Sequence, residues 1–231
     1  MKTTRPRQTA RLNTKLDKRL FAYAAAAGVG ALTLTPQAEG KIVYTPAHVV
    51  LTSIPNSSYA IDLNHDGIVD FSLRGNYQNG ESQTSAYFAC EPMASPNMVW
   101  GRDFRSALPH GVKVEHGGGF NRKSPLMGRV SHRNTSGSLF SGYWVNGDKG
   151  VKNRYLGLKF SMNGNIHYGW ARLNLAVNHG RPYITATLTG FAYETVANKP
   201  IVTGRTKGPD VRVERLTLGD LARGVAAAPY D

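Results

Sequence analysis

The residues best equipped for chemistry lie in the run Asp62-Leu63-Asn64-His65-Asp66-Gly67-Ile68-Val69-Asp70. Side-chain oxygens recur at Asp62, Asn64, Asp66 and Asp70, the first, third, fifth and ninth positions. Gly67 stands where a wrapping loop needs a sharp turn, and the backbone carbonyl of Ile68 can add a further oxygen. Calcium is a hard cation that takes roughly six to eight oxygen ligands, so this spacing suits it. The run follows the EF-hand pattern through its ninth position and departs at the twelfth, where Leu73 stands in place of Glu. Its flanks, Tyr59-Ala60-Ile61 and Phe71-Ser72-Leu73, read as strands rather than helices. The expectation is a structural Ca²⁺ held in a β-hairpin, with an affinity on the order of 10⁻⁴–10⁻³ M. The alternative is an Asx-rich turn that closes the hairpin without a metal.

Two further groupings invite a ligand. Tyr168, Trp170 and Arg172 share one face of a strand-like run, where rings and a guanidinium can hold a sugar. The same face can instead pack under a second sheet. Arg102, Arg105, Arg122, Lys123, Arg129 and Arg133 fall in a stretch where only Asp103 and Glu115 oppose them. Such a stretch can bind an acidic polymer or be a solvated surface.

Catalytic signatures are weak. No G-x-S-x-G elbow accompanies Ser138 or Ser141, and His110 and His116 have no zinc spacing. Glu81, Glu91, Glu115 and Glu194 show no pairing of the kind glycoside hydrolysis needs. The single cysteine, Cys90, cannot form an intramolecular disulfide and reads as a small buried residue. No catalytic residue is assigned from the sequence.

The elements that must position these residues read as strands. Leu156, Leu158, Phe160 and Met162 alternate with Tyr155, Gly157, Lys159 and Ser161, and Asn163-Gly164-Asn165 signals a hairpin turn. Ala171, Leu173, Leu175 and Val177 then alternate with Tyr168, Trp170, Arg172 and Asn174. Ile184, Ala186 and Leu188 alternate with Thr185, Thr187 and Thr189. This predicts an antiparallel meander with an aliphatic face and a polar-aromatic face. Shorter strands are expected over 41–44, 49–54, 191–195 and 201–203. The fold class is all-β, an antiparallel β-sandwich of jelly-roll-like type over 41–215, with a long irregular insertion at about 74–150. A short helix is expected in the tail, 216–231.

The net charge is +13, from 28 Lys and Arg against 15 acids. Residues 1–40 hold seven of those bases, an apolar run from Leu20 to Leu34, and small residues at Ala38 and Gly40. This is the three-part pattern of a signal peptide with an N-terminal signal helix. Lys18-Arg19-Leu20-Phe21 also fits a relaxed twin-arginine signal, so the export route stays open. Residues 1–40 would be read by the export machinery, placing the protein in the periplasm, on the cell surface or outside the cell. Much of the remaining positive charge falls between Arg102 and Arg133, a distribution that no longer argues for a cytoplasmic nucleic-acid binder; no specific nucleic-acid partner and no transmembrane segment in the mature part are expected.

The runs Arg154-Tyr155-Leu156-Gly157-Leu158-Lys159-Phe160, His167-Tyr168-Gly169-Trp170-Ala171-Arg172-Leu173 and Phe191-Ala192-Tyr193-Glu194-Thr195 resemble the C-terminal half of secreted bacterial proteins of the PEP-CTERM and choice-of-anchor type. Lys41-Ile42-Val43-Tyr44-Thr45-Pro46, the loop from Asp62, and Thr217-Leu218-Gly219-Asp220-Leu221-Ala222-Arg223-Gly224 resemble uncharacterised exported proteins of acidobacterial type. The resemblance implies an exported β-sandwich and no particular activity. The functional expectation is a non-enzymatic envelope or extracellular structural or binding module. A lectin-like carbohydrate-binding protein and a secreted hydrolase are the alternatives. The partners expected are a glycan or an acidic polymer, and the oligomeric state is left open.

Overall fold

The alternating runs of the sequence form long strands in the computed structural model, which describes residues 40–133, 137–178 and 183–208. The expected signal helix and the expected tail helix lie outside the described residues. Among the described residues the chain is all-β, with no helix. The strands are β1 (Ile42–Thr52), β2 (Ser57–Ile61), β3 (Phe71–Asn79), β4 (Gln83–Pro92), β5 (Met98–Trp100), β6 (Lys113–Val114) and β7 (Phe120–Asn121). They continue with β8 (Leu126–Arg133), β9 (Gly137–Ser141), β10 (Val151–Met162), β11 (Asn165–Asn178), β12 (Tyr183–Glu194) and β13 (Ile201–Val202).

They pair antiparallel into a first sheet, β1-β12-β11-β10-β5-β7, a second sheet, β2-β3-β4-β8-β9, and a two-stranded ribbon, β13-β6. The predicted meander is the centre of the first sheet. Its turn at Asn163-Gly164 works because both residues take left-handed backbone angles, φ 52° and 76°, as a type I′ hairpin requires. Pro46 is tolerated inside β1 because β1 lies at the sheet edge, where a missing N–H breaks no inner ladder. The register shifts between Pro46 and Val49, so the two short strands expected at 41–44 and 49–54 are one irregular strand. The segment 191–195, expected as a separate strand, is mostly the end of β12.

One apolar core joins the two sheets in a sandwich-like arrangement. Leu156, Leu158, Phe160, Leu173 and Leu188 meet Phe71, Leu73, Phe88 and Val130, all fully buried or nearly so. Each such side chain contributes about 1.5–3 kcal/mol of burial. The stretch 74–150, read as a loop-rich insertion, differs from expectation. It supplies most of β3 together with β4, β8 and β9, and so most of the second sheet. Its alternation is masked in the sequence because small residues take inward positions. A Cβ at Gly75 would stand 2.5 Å from the Thr52 carbonyl and 2.7 Å from the Phe88 ring.

Candidate functional site

The Asp62–Asp70 run is the loop between β2 and β3, as its strand-like flanks imply. Its backbone is wrapped around its own side chains. Asp62 accepts from the N–H of Asp66 at 3.2 Å and of Gly67 at 2.8 Å. Asp66 accepts from the N–H of Ile68 and the amide of Asn64, both at 2.8 Å. Gly67 turns the chain at φ 86°. The side-chain oxygen of Asn64 is shielded from solvent and accepts no hydrogen bond from the described residues. An orphaned oxygen costs free energy, and a cation would relieve it.

Asp70 takes a different position. It is buried, and its oxygens accept from the N–H of Leu63 at 2.9 Å and the amide of Asn97 at 3.1 Å. Burial pushes its carboxyl above the usual range. The Leu63 and Asn97 bonds oppose the rise, and the charges of Asp66 and Asp62 add to it. Among the described residues, no three His, Cys, Asp or Glu side chains already converge as a metal ligand set. The loop therefore combines an orphaned oxygen and mutually repelling carboxylates, which suit a cation, with an Asp70 engaged by protein donors.

The loop also touches both sheets. His65 meets Thr45 of β1 at 2.8 Å and lies against the ring of Phe191 on β12. Asn97, bonded to Asp70, accepts from the N–H of Ser161 on β10 at 3.0 Å.

The polar-aromatic face of β11 is covered. Tyr168 and Trp170 are 0% exposed, in a second apolar cluster with Tyr155, Val114 of β6 and Ile201 of β13. Trp170 meets Tyr155 edge-on at 5.2 Å, and Phe120 stacks on Tyr168 at 6.0 Å. Arg172 is turned to Thr189 Oγ1 at 2.7 Å and to the Tyr44 hydroxyl at 3.4 Å. A sugar cannot stack on either ring here, so the ligand-binding role considered for Tyr168, Trp170 and Arg172 gives way to a packing role. The cause is the β6–β13 ribbon, whose short strands carry no sequence signal that they fold over this face. The Tyr168 hydroxyl and the Trp170 indole N–H have no hydrogen-bond partner among the described residues, so the cluster is held by ring packing.

The basic stretch is divided between the interior and the surface. Arg105 is 0% exposed and donates to the carbonyls of Cys90, Val99 and Asn121 at 3.3, 3.2 and 2.9 Å. It is a correction to the polyanion set, because its charge is inside. Burial pulls its pKa down, and the nearby Cys90 opposes this. Arg122 is exposed but donates to the carbonyls of Ala94 and, at 2.8 Å, of Asn97. Arg102 and Lys123 are exposed in loops. Arg129 and Arg133 lie on the outer face of β8, near Ser85 and Gln83.

Cys90 is buried, and burial pushes its thiol up to about 12, so it carries almost no thiolate at neutral pH. Glu194 is buried, pairs with Lys199 at 3.5 Å and accepts from the N–H of Val196. His167 bonds the Glu194 carbonyl at 3.0 Å.

Sequence reasoning missed a cleft of about 320 Å³ lined by Ser106, Ala107, Tyr143, Asn146, Val151 and Arg154. A second cleft of about 290 Å³ shares Val151 and includes Lys149, Lys152 and Asn174. Neither has an acid among the described residues that line it. The signal available was Tyr143-Trp144, an aromatic pair inside a Gly/Asn-rich loop.

No family model, curated protein or solved structure matches this chain.

Proposed function

We propose that this chain is an exported, non-enzymatic structural and binding module of the cell envelope or extracellular space, built as a β-sandwich with a calcium-held hairpin. The reading rests on one observation. The Asp62–Asp70 loop is prewrapped, carries the orphaned oxygen of Asn64 and touches elements of both sheets. A cation bound there would clamp the two sheets together. Asp62, Asn64, Asp66 and the Ile68 carbonyl would hold it, with Asp70 as the inner carboxylate. Export is supported by the three-part pattern of residues 1–40. Calcium at extracellular concentration matches a site lacking the twelfth-position Glu.

The test is thermal melting of chelator-treated protein with and without millimolar calcium. A site of the expected affinity raises the melting temperature by about 5 °C. Asp66→Ala abolishes the rise. Absence of a rise, or its persistence in Asp66→Ala, defeats the calcium reading.

A further inference from the structure

The inward row of β10 runs Phe160, Leu158, Leu156 and then Arg154. Arg154 pairs with Leu173, a core residue, after a register irregularity between Val151 and Arg154. The unbroken alternation puts a guanidinium on the core-facing side of the strand, at the rim of the apolar core, and the register slips only beyond it, toward Val151. The Arg154 side chain makes no hydrogen bond or ion pair with the described residues, and it lines the 320 Å³ cleft. A half-buried charge without a protein partner is costly unless water or a ligand takes that place.

Facing it is a loop with an unusual division of labour. Trp144 and Val145 are 0% exposed, while their neighbour Tyr143 is 63% exposed. Gly142 makes this possible. It takes φ 97°, and a Cβ there would stand 2.5 Å from the Met127 carbonyl. Asn146 follows in the left-handed region at φ 48°, which asparagine adopts more readily than most side chains. The buried pair thus anchors the loop, and Tyr143 is held out as an exposed aromatic surface in the cleft that Arg154 also lines.

We propose that these two adjoining clefts bind an acidic oligosaccharide, a chain of sugar rings carrying carboxylates. Tyr143 offers a face for stacking on a sugar ring. Arg154 offers a planar fork for bidentate bonding to the ring carboxylate. Ser106 and Asn146 supply groups for hydroxyls. The volume, about 320 Å³, lies at the small end of ligand pockets and suits one ring. The second cleft, across Val151, adds Lys149 and Lys152 beside Asn174, Thr185 and Thr187. A second acidic ring fits that lining of bases, amide and hydroxyls. The site stands apart from the calcium reading, because no residue of the Asp62–Asp70 loop lines either cleft.

The experiment is calorimetric titration of the full chain with a galacturonic acid trisaccharide and with the neutral galactose trisaccharide. The acidic probe saturates the protein, and the neutral one binds at least about ten-fold more weakly. Arg154→Gln weakens the acidic probe by about ten- to hundred-fold, as loss of a charge-assisted bond should. Tyr143→Ala, at an exposed position that leaves folding intact, weakens it by about ten-fold and carries the test should Arg154→Gln fail to fold. Lys149→Gln with Lys152→Gln weakens the trisaccharide while leaving monomeric galacturonate unchanged. The proposal is overturned by failure of the acidic probe to saturate, by equal affinity for both probes, or by unchanged affinity in Tyr143→Ala.

Discussion

Trp144 donates its indole N–H to the backbone carbonyl of Arg105 across 3.0 Å, with both side chains fully buried. Arg105 in turn reaches the carbonyls of Cys90 on β4, Val99 on β5 and Asn121 on β7. Strands of both sheets are therefore tied through one guanidinium, and the 142–147 loop is tied to the backbone of the same residue. Among the described residues no acid neutralises it; carbonyls and the Asn121 side-chain oxygen take its Nε and Nη1, while Nη2 has no hydrogen-bond partner there. Asn121 is held by its own amide, which donates to the carbonyls of Gly101 and Arg102.

Arg105→Ala leaves three backbone carbonyls short of a donor and opens a cavity. The expected loss is about 3 kcal/mol or more, read as a lowered midpoint of urea unfolding. Arg105→Lys does not restore it, because an ammonium cannot span the three carbonyls that the fork reaches. Arg102→Ala, in an exposed loop, changes stability by less than about 0.5 kcal/mol. A similar small effect for Arg105→Ala would mean that its buried bonds contribute no net stability.

The ring cluster under the β6–β13 ribbon makes a second prediction. Trp170→Ala should cost about 3–5 kcal/mol, since it empties the centre of a packed cluster. Trp170→Phe should cost much less, because the indole N–H has no partner to lose among the described residues. Urea midpoints of the two variants measure the difference. If Phe and Ala are equally damaging, the indole N–H is bonded after all and packing is not what holds the face together.

How far the sequence reveals this molecule depends on where information is local. Leu156, Leu158 and Phe160 announce β10 because their partners on β11 follow across a two-residue turn. The β2–β3 hairpin is legible for the same reason. Residues 74–150 are harder to read, since inward positions there include Gly75 and the polar Ser85 and Ser131 on the other face are buried as well, so the contrast between faces is weak. Arg105 illustrates the limit most clearly. Its neighbours in sequence are polar and loop-like, so it reads as surface charge. Its burial is decided by carbonyls 6 to 16 residues away. The cover over Trp170 comes from Val114 and Ile201, whose pairing across the ribbon has no periodic signal. The calcium-like spacing is visible from Asp62 to Asp70, whereas the engagement of Asp70 by Asn97 is a tertiary fact.

That engagement sets the final prediction. Burial holds the Asp70 carboxyl above the ordinary range, and the charges of Asp66 and Asp62 add to the effect. A fold that raises an acid's pKa binds its proton more tightly than the unfolded chain does. The contribution of Asp70 is then fully present below about pH 4, its ordinary value, and is lost as pH climbs through the raised folded value. In chelator, wild type should therefore lose stability relative to Asp70→Asn as pH rises from 4 to 8. Calcium favours the ionised carboxylate, so adding it should flatten or reverse that trend. Urea unfolding of both proteins across this range, with and without calcium, gives the slopes directly. A flat difference in chelator would show that burial does not shift Asp70. A slope that calcium leaves untouched would show that no cation reaches the inner carboxylate, and would confine any bound ion to Asp62, Asn64, Asp66 and the Ile68 carbonyl.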